Sequence, residues 1–173
     1  MKAPIALIVP LLALALLLSG CTGFFGEQNP FLWHREGKVQ LSEIGGSGLV
    51  AVSPSSEEFP VGADGSFYAN LSKTEIASVV ILDSDKKLRA YSVSVPNDPD
   101  LLVIGADSTA KAMLFKEGKK NGLETLWEIG NMKCYPQFAA YIKSRLPQKS
   151  INELTSDPEF LRLLSECKNE RAQ

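Results

Sequence analysis

The chain has 173 residues, with 18 lysines and arginines against 20 aspartates and glutamates and a formal net charge of −2. A mildly acidic chain with no basic block offers no electrostatic footprint for nucleic acid and no polybasic patch for anionic lipid. Three cysteines and one histidine also supply little for zinc or redox chemistry, which needs closely spaced thiols or several imidazoles.

The N-terminus carries one cation, Lys2, followed by an uncharged run from Ala3 to Gly20 that ends in the small residues Ser19 and Gly20. This is the layout of an export signal. The run is also long enough for a bilayer span, for which about 17–25 apolar residues suffice. The next residue discriminates between the two. Leu18-Ser19-Gly20-Cys21 resembles the lipobox of bacterial lipoprotein signal peptides and matches it at every position. That resemblance implies a signal peptide over residues 1–20, a lipid anchor on the Cys21 thiol, acylation of the new amino terminus and an extracytoplasmic mature chain. Two or three acyl chains, at about 0.8 kcal/mol per buried methylene, make such an anchor permanent. Thr22 stands where an Asp would hold the protein at the inner membrane. The expected location is therefore the outer membrane, or the outer face of the cell membrane in an organism without one.

Residues 21–36 read as a tether, rich in Gly, Phe, Asn and Pro and without a steady period. Phe24, Phe25, Phe31, Leu32 and Trp33 make it apolar for a linker, and two placements are open to them: the membrane surface, where Trp33 suits the interface, or the surface of the following domain.

From residue 37 to 105 short β-branched runs are cut by turn residues, which predicts an all-β region. Strands are expected over Lys38 to Glu43, Leu49 to Ser53, Phe59 to Val61 and Ser66 to Asn70, with Gly65 taking positive φ in the turn at Ala63-Asp64-Gly65. Ile76 to Leu82 is a nearly continuous apolar run, as expected of a strand buried on both faces. Leu88 to Val95 and Leu101 to Ile104 complete six or seven strands, a number and spacing that suggest a sandwich. Gly37-Lys38-Val39, Gly48-Leu49-Val50-Ala51-Val52, Asp64-Gly65-Ser66-Phe67 and Val79-Val80-Ile81-Leu82-Asp83 resemble pieces of the transthyretin-like, carboxypeptidase-regulatory-like sandwiches of bacterial surface proteins. The resemblance implies a small antiparallel β-sandwich.

Residues 106–173 change to a helical period, giving an α+β chain whose C-terminal region holds three to four short helices. Asp107 or Ser108 is expected to cap a helix through Lys116. A second helix is expected around Leu123 to Trp127, ending at Gly130. Pro136 suits the start of a third, with Phe138, Tyr141, Ile142 and Leu146 along it, and Asp157-Pro158 opens a fourth. Phe160, Leu163, Leu164 and Cys167 form one apolar stripe on that last helix, and Cys134 lies just before the third. No second cysteine stands beside either, so a structural disulfide between Cys134 and Cys167 is the expected use of both. Closing that loop stabilises a fold by ~3–4 kcal/mol in the chain-entropy model.

Two further patterns bear on chemistry. Ser108-Thr109-Ala110-Lys111 matches S-x-x-K, in which a lysine one helical turn on activates a nucleophilic serine, as in an acyl-enzyme hydrolase or transferase. The Ser-Asp-Asn and Lys-Thr-Gly partners of that motif are missing, and a helix cap followed by a surface lysine explains the same letters. Asp83, Asp85, Asp98, Asp100 and Asp107 fall in turns, where calcium finds oxygen ligands, but no calcium-loop spacing accompanies them. A calcium-stabilised adhesion module is the alternative they raise. His34 has no serine or carboxylate pattern around it and is expected to be incidental. The sequence thus predicts a non-enzymatic binding or scaffold protein that needs no metal or cofactor. Its membrane contact is the lipid at Cys21 and its partner an envelope protein or glycan, an expectation that rests on fold analogy.

Overall fold

In the computed structural model, residues 32–96, 98, 100–115 and 122–171 are described. Seven strands are found among them: β1 (Leu32–Val39), β2 (Val50–Val52), β3 (Glu58–Pro60), β4 (Ser66–Ser72), β5 (Ala77–Leu82), β6 (Leu88–Ser94) and β7 (Leu102–Ile104). They form a three-stranded sheet in the order β4-β1-β7 and a four-stranded sheet in the order β3-β2-β5-β6. All pairings are antiparallel except β1 with β7. Five helices follow: α1 (Ala106–Phe115), α2 (Gly122–Gly130), α3 (Tyr135–Arg145), α4 (Ile151–Leu154) and α5 (Pro158–Arg171). The α+β class and the strand-then-helix order therefore match expectation. The helices exceed the three to four expected by the single-turn α4, whose residues carry too short a pattern to stand out.

Alternation sets the faces. In β4, Phe67, Ala69 and Leu71 are buried while Ser66 and Tyr68 are exposed, the period of two that a half-buried strand requires. The turn before it holds Gly65 at φ 88°, as expected, and Asp64 closes that turn by accepting hydrogen bonds from the Ser66 amide and hydroxyl at 3.0 and 2.6 Å.

Two expectations need correction. The tether was expected to run to Glu36 and a strand to begin at Lys38. Instead β1 starts at Leu32, and residues 41–43 form a 3-10 turn. Trp33 sits opposite Leu71 across the ladder, so Leu32 and Trp33 belong to the domain rather than to a tether on the membrane surface. Phe24, Phe25 and Phe31 lie outside the described residues. The second correction concerns burial on both faces. In β5 only Ala77, Val79 and Ile81 are buried, their neighbours are half-buried, and Ile76 lies outside the strand, 43% exposed. The strand covered on both faces is β6, where every residue from Arg89 to Ser94 is buried although it is an edge strand. Helix α1 accounts for this: it lies against β6, and its Thr109 Oγ1 accepts the Tyr91 N–H at 3.3 Å. An edge that would otherwise offer free backbone donors is thereby closed.

Arg89 joins the sheet to the helices. The residue is 6% exposed, and its guanidinium donates to the carbonyl of Gly45 at 2.8 Å and to those of Leu146 and Pro147, past the C-terminus of α3, at 3.3 and 3.5 Å. The negative end of the helix favours a cation there. Buried side chains of both sheets and the helices, from Val39 to Cys167, then belong to one apolar cluster. Arg89→Met keeps the aliphatic stem and leaves those carbonyls without their donor. It is expected to lower the unfolding free energy by about 1.5–3 kcal/mol, the range for a hydrogen bond to a charged group. Urea unfolding checks this, with a lower midpoint at unchanged slope as the expected result.

Candidate functional site

The serine and lysine singled out by sequence sit on the first turns of α1. The expected cap at Asp107 or Ser108 is not what forms, because the helix already begins at Ala106. The acceptor comes from far away in the chain: Glu43 Oε2 takes the Ala106 N–H at 2.9 Å, and Glu43 is itself held by Lys143 of α3 at 2.9 Å. Ser108 turns back on Gly105, the residue just before the helix. Its Oγ accepts the Gly105 N–H at 3.0 Å and donates to the Gly105 carbonyl at 3.2 Å.

Lys111 pairs with Asp107 rather than with the serine, its Nζ 2.9 Å from Oδ2, and it also lies 5.9 Å from the centre of the Tyr135 ring. Tyr135 donates its hydroxyl to Asp107 Oδ1 at 2.5 Å. Glu43, Asp107, Lys111, Tyr135 and Lys143 thus make one network in which each charge has an opposite partner. A shallow depression of about 190 Å³ borders it, walled by Ala139 and Ala140. Such an arrangement fixes α1 against α3. Activation of a nucleophile would instead need the lysine at the serine.

The network leaves its mark on two protonation equilibria. Burial raises the Asp107 carboxyl, but the hydrogen bond from Tyr135 and the contact with Lys111 outweigh it and hold the group below the usual carboxylate range. Burial pushes the Tyr135 phenol up, and the Asp107 carboxylate adds to the rise.

The two cysteines are joined, with Cα atoms 5.4 Å apart. The bridge links the start of α3 to α5, as expected, and Cys167 is 1% exposed. Glu170 reinforces the same junction by accepting the Lys133 and Cys134 amides at 2.6 and 2.9 Å. The turn aspartates serve their own turns: Asp83 accepts the Asp85 and Lys87 amides at 2.9 Å, and Asp98 the Asp100 amide at 3.0 Å. No group of three or more His, Cys, Asp or Glu that could hold a metal ion is found among the described residues. Cys21 lies outside them.

His34 falls within the tether expected over residues 21–36, but in the structure it lies in β1 among partners that no local pattern announces. In β1 it shares the solvent face of the three-stranded sheet with Glu36, Lys38, Ser66, Tyr68 and Asn70. Its ring stacks on Tyr68, centroids 4.9 Å apart and planes 12° from parallel, with Phe59 edge-on at 6.5 Å. Asn70 bridges the His34 ring at 3.0 Å and Glu57 at 2.7 Å. Comparison with family models, curated proteins and solved structures finds no match for this chain.

A lowered carboxyl pKa stabilises the fold above the unfolded value, near 3.9, and the contribution is lost as pH falls through the folded pKa. Asp107→Asn is therefore expected to be less stable than wild type at pH 7, with the gap narrowing below about pH 4. Urea midpoints measured from pH 7 to pH 3 check this; a gap independent of pH would mean that Asp107 does not couple folding to protonation.

Proposed function

We propose that the chain is a lipid-anchored, extracytoplasmic protein of the bacterial envelope that binds or scaffolds and does no covalent chemistry. In this reading its two sheets form a small transthyretin-like sandwich, presented beyond the membrane on the segment that follows Cys21. The observation that carries the proposal is Leu18-Ser19-Gly20-Cys21 at the end of the apolar run from Ala3. The Cys134–Cys167 bridge supports it, since disulfides persist in oxidising compartments outside the cytosol. The non-enzymatic part draws support from the junction at α1, where Ser108 and Lys111 are engaged by Gly105 and Asp107 rather than by each other.

Anchoring is tested by expression in a bacterium fed labelled palmitate. Wild type is expected to carry the label and partition into detergent, and Cys21→Ala to lose the label. A labelled variant would sink the anchor.

The non-enzymatic part is tested separately with a fluorophosphonate and a β-lactam probe on the purified protein. Neither is expected to attach. Stoichiometric labelling of Ser108 that disappears in Lys111→Ala would establish an acyl-enzyme instead.

A further inference from the structure

We propose that the solvent face of the three-stranded sheet binds a neutral glycan, one pyranose ring of which stacks on Tyr68 in the depression between Tyr68 and Leu101. The proposal rests on the reading of the chain as an envelope binding protein and gives that reading a partner class.

The depression holds about 180 Å³ and is lined by Tyr68, Leu101, Glu36, Lys38, Ser66 and the backbone at Gly37. The Gly37 backbone contributes to its floor; a Cβ there would point inward and lie 2.1 Å from the Phe67 ring, which fills the space beneath. Tyr68 and Leu101, both in the lining, are 46% and 53% exposed, and Val103 on the same face is 39% exposed. His34, stacked on Tyr68, is not part of the lining. The phenol also donates to Glu36 Oε1 at 3.4 Å. The aromatic platform is therefore held before any ligand arrives, which reduces the ordering cost of binding.

The chemistry around the platform selects the ligand. Glu36 offers acceptors, Lys38 donors and Ser66, whose own proton goes to Asp64, a hydroxyl oxygen that accepts. A sugar ring has the matching design, an apolar C–H face for the aromatic ring and a rim of hydroxyls that both donate and accept. Charge narrows the class further. Of the two charges in the lining, Glu36 and Lys38, the cation is already engaged by Asp64 at 3.1 Å, so a carboxylated sugar meets like charge. A protein partner would need about 800 Å² on its side with an apolar core. Here the exposed apolar groups alternate with Glu36, Lys38 and Ser66, and the concavity suits one ring.

The test uses the full-length chain in detergent micelles. It is titrated with the β-1,4 trimer of N-acetylglucosamine, with maltotriose and with trigalacturonic acid, and binding is followed by saturation-transfer NMR. At least one neutral trimer is expected to bind and the acidic trimer not to. Tyr68→Ala is expected to weaken binding at least about tenfold and Tyr68→Phe less than about threefold, since the ring face carries the contact. Because Tyr68 is exposed, both variants should keep the wild-type melting temperature. Failure of both neutral trimers to bind would overturn the proposal. Undiminished binding by a folded Tyr68→Ala would overturn it too. Either failure would leave the anchoring test untouched, whereas recovery of a bound trimer in cleaved form would keep the site and sink the non-enzymatic reading.

Discussion

The molecule depends on a charge buried where a sheet meets its helices. Moving a guanidinium out of water costs several kcal/mol even after relaxation, and a buried cation persists only when its donors are satisfied. Arg89 meets that condition with backbone carbonyls, one in the turn at Gly45 and two beyond the C-terminus of α3. A lysine could not replace it, since an ammonium on a flexible stem lacks the planar fork that reaches several carbonyls from one position. Glu153 adds a compensating charge. Its carboxyl is lowered first by the Ser150 hydroxyl and then by the Ser150 amide, and the field of Lys87 and Arg89 contributes further. One side chain on an edge strand thereby fixes where the helical region sits, and with it the burial of β6.

Capping follows the same division between local and distant partners. Helices α4 and α5 are capped by residues beside them: Ser150 and Glu153 close a reciprocal capping box, and Asp157 accepts the Glu159 amide at 3.0 Å. Helices α1 and α3 borrow their acceptors, α1 from Glu43 in the 3-10 turn and α3 from Glu170 in α5. A carboxylate at a helix N-terminus is favourable wherever it originates. The difference lies in when it becomes available. The α1 cap exists only once the sheet region and the helices have come together, and the α3 cap only once α3 and α5 have packed, so both depend on tertiary structure while α4 and α5 carry their own start signals.

This explains what could be read from the sequence. Strands with clean alternation and strong turns were legible: β4 after Asp64-Gly65 lies where expected, as do β2 and β7 to within a residue or two. So were the proline-marked helix starts and the pairing of Cys134 with Cys167. What failed to show was anything set by a distant partner. In β1 the inward positions Trp33, Arg35, Gly37 and Val39 include a charge and a glycine, which hides the period of two. Yet Arg35 donates to Ser94 Oγ at 3.1 Å, and the space over Gly37 belongs to Phe67. In β6 the buried Arg89 reads as exposed until the helices cover it, and Ser92 and Ser94 until their side of the strand is covered, Ser94 by Arg35 of β1. The junction at Ser108 was misread for the same reason, since its cap lies 63 positions earlier. The face built on His34 and Tyr68 was invisible because only the β1–β4 register makes them neighbours.

The polar groups of the molecule fall into two kinds, and the contrast bears on function. Around α1 and α3, carboxylates, ammoniums and a phenol are partnered across elements, and their chemistry is used in holding helices together. On the solvent face of the three-stranded sheet the same residue types stand around an exposed aromatic ring, and the fold gains little from them. Surface ion pairs such as Lys38 with Asp64 contribute only about 0–1 kcal/mol. Stability gives no strong reason to leave Tyr68, Leu101 and Val103 open to water on one sheet, nor to steady the tyrosine with a stacked histidine. The face is therefore built differently from the junction of α1 and α3: its polar groups surround an exposed ring instead of joining elements.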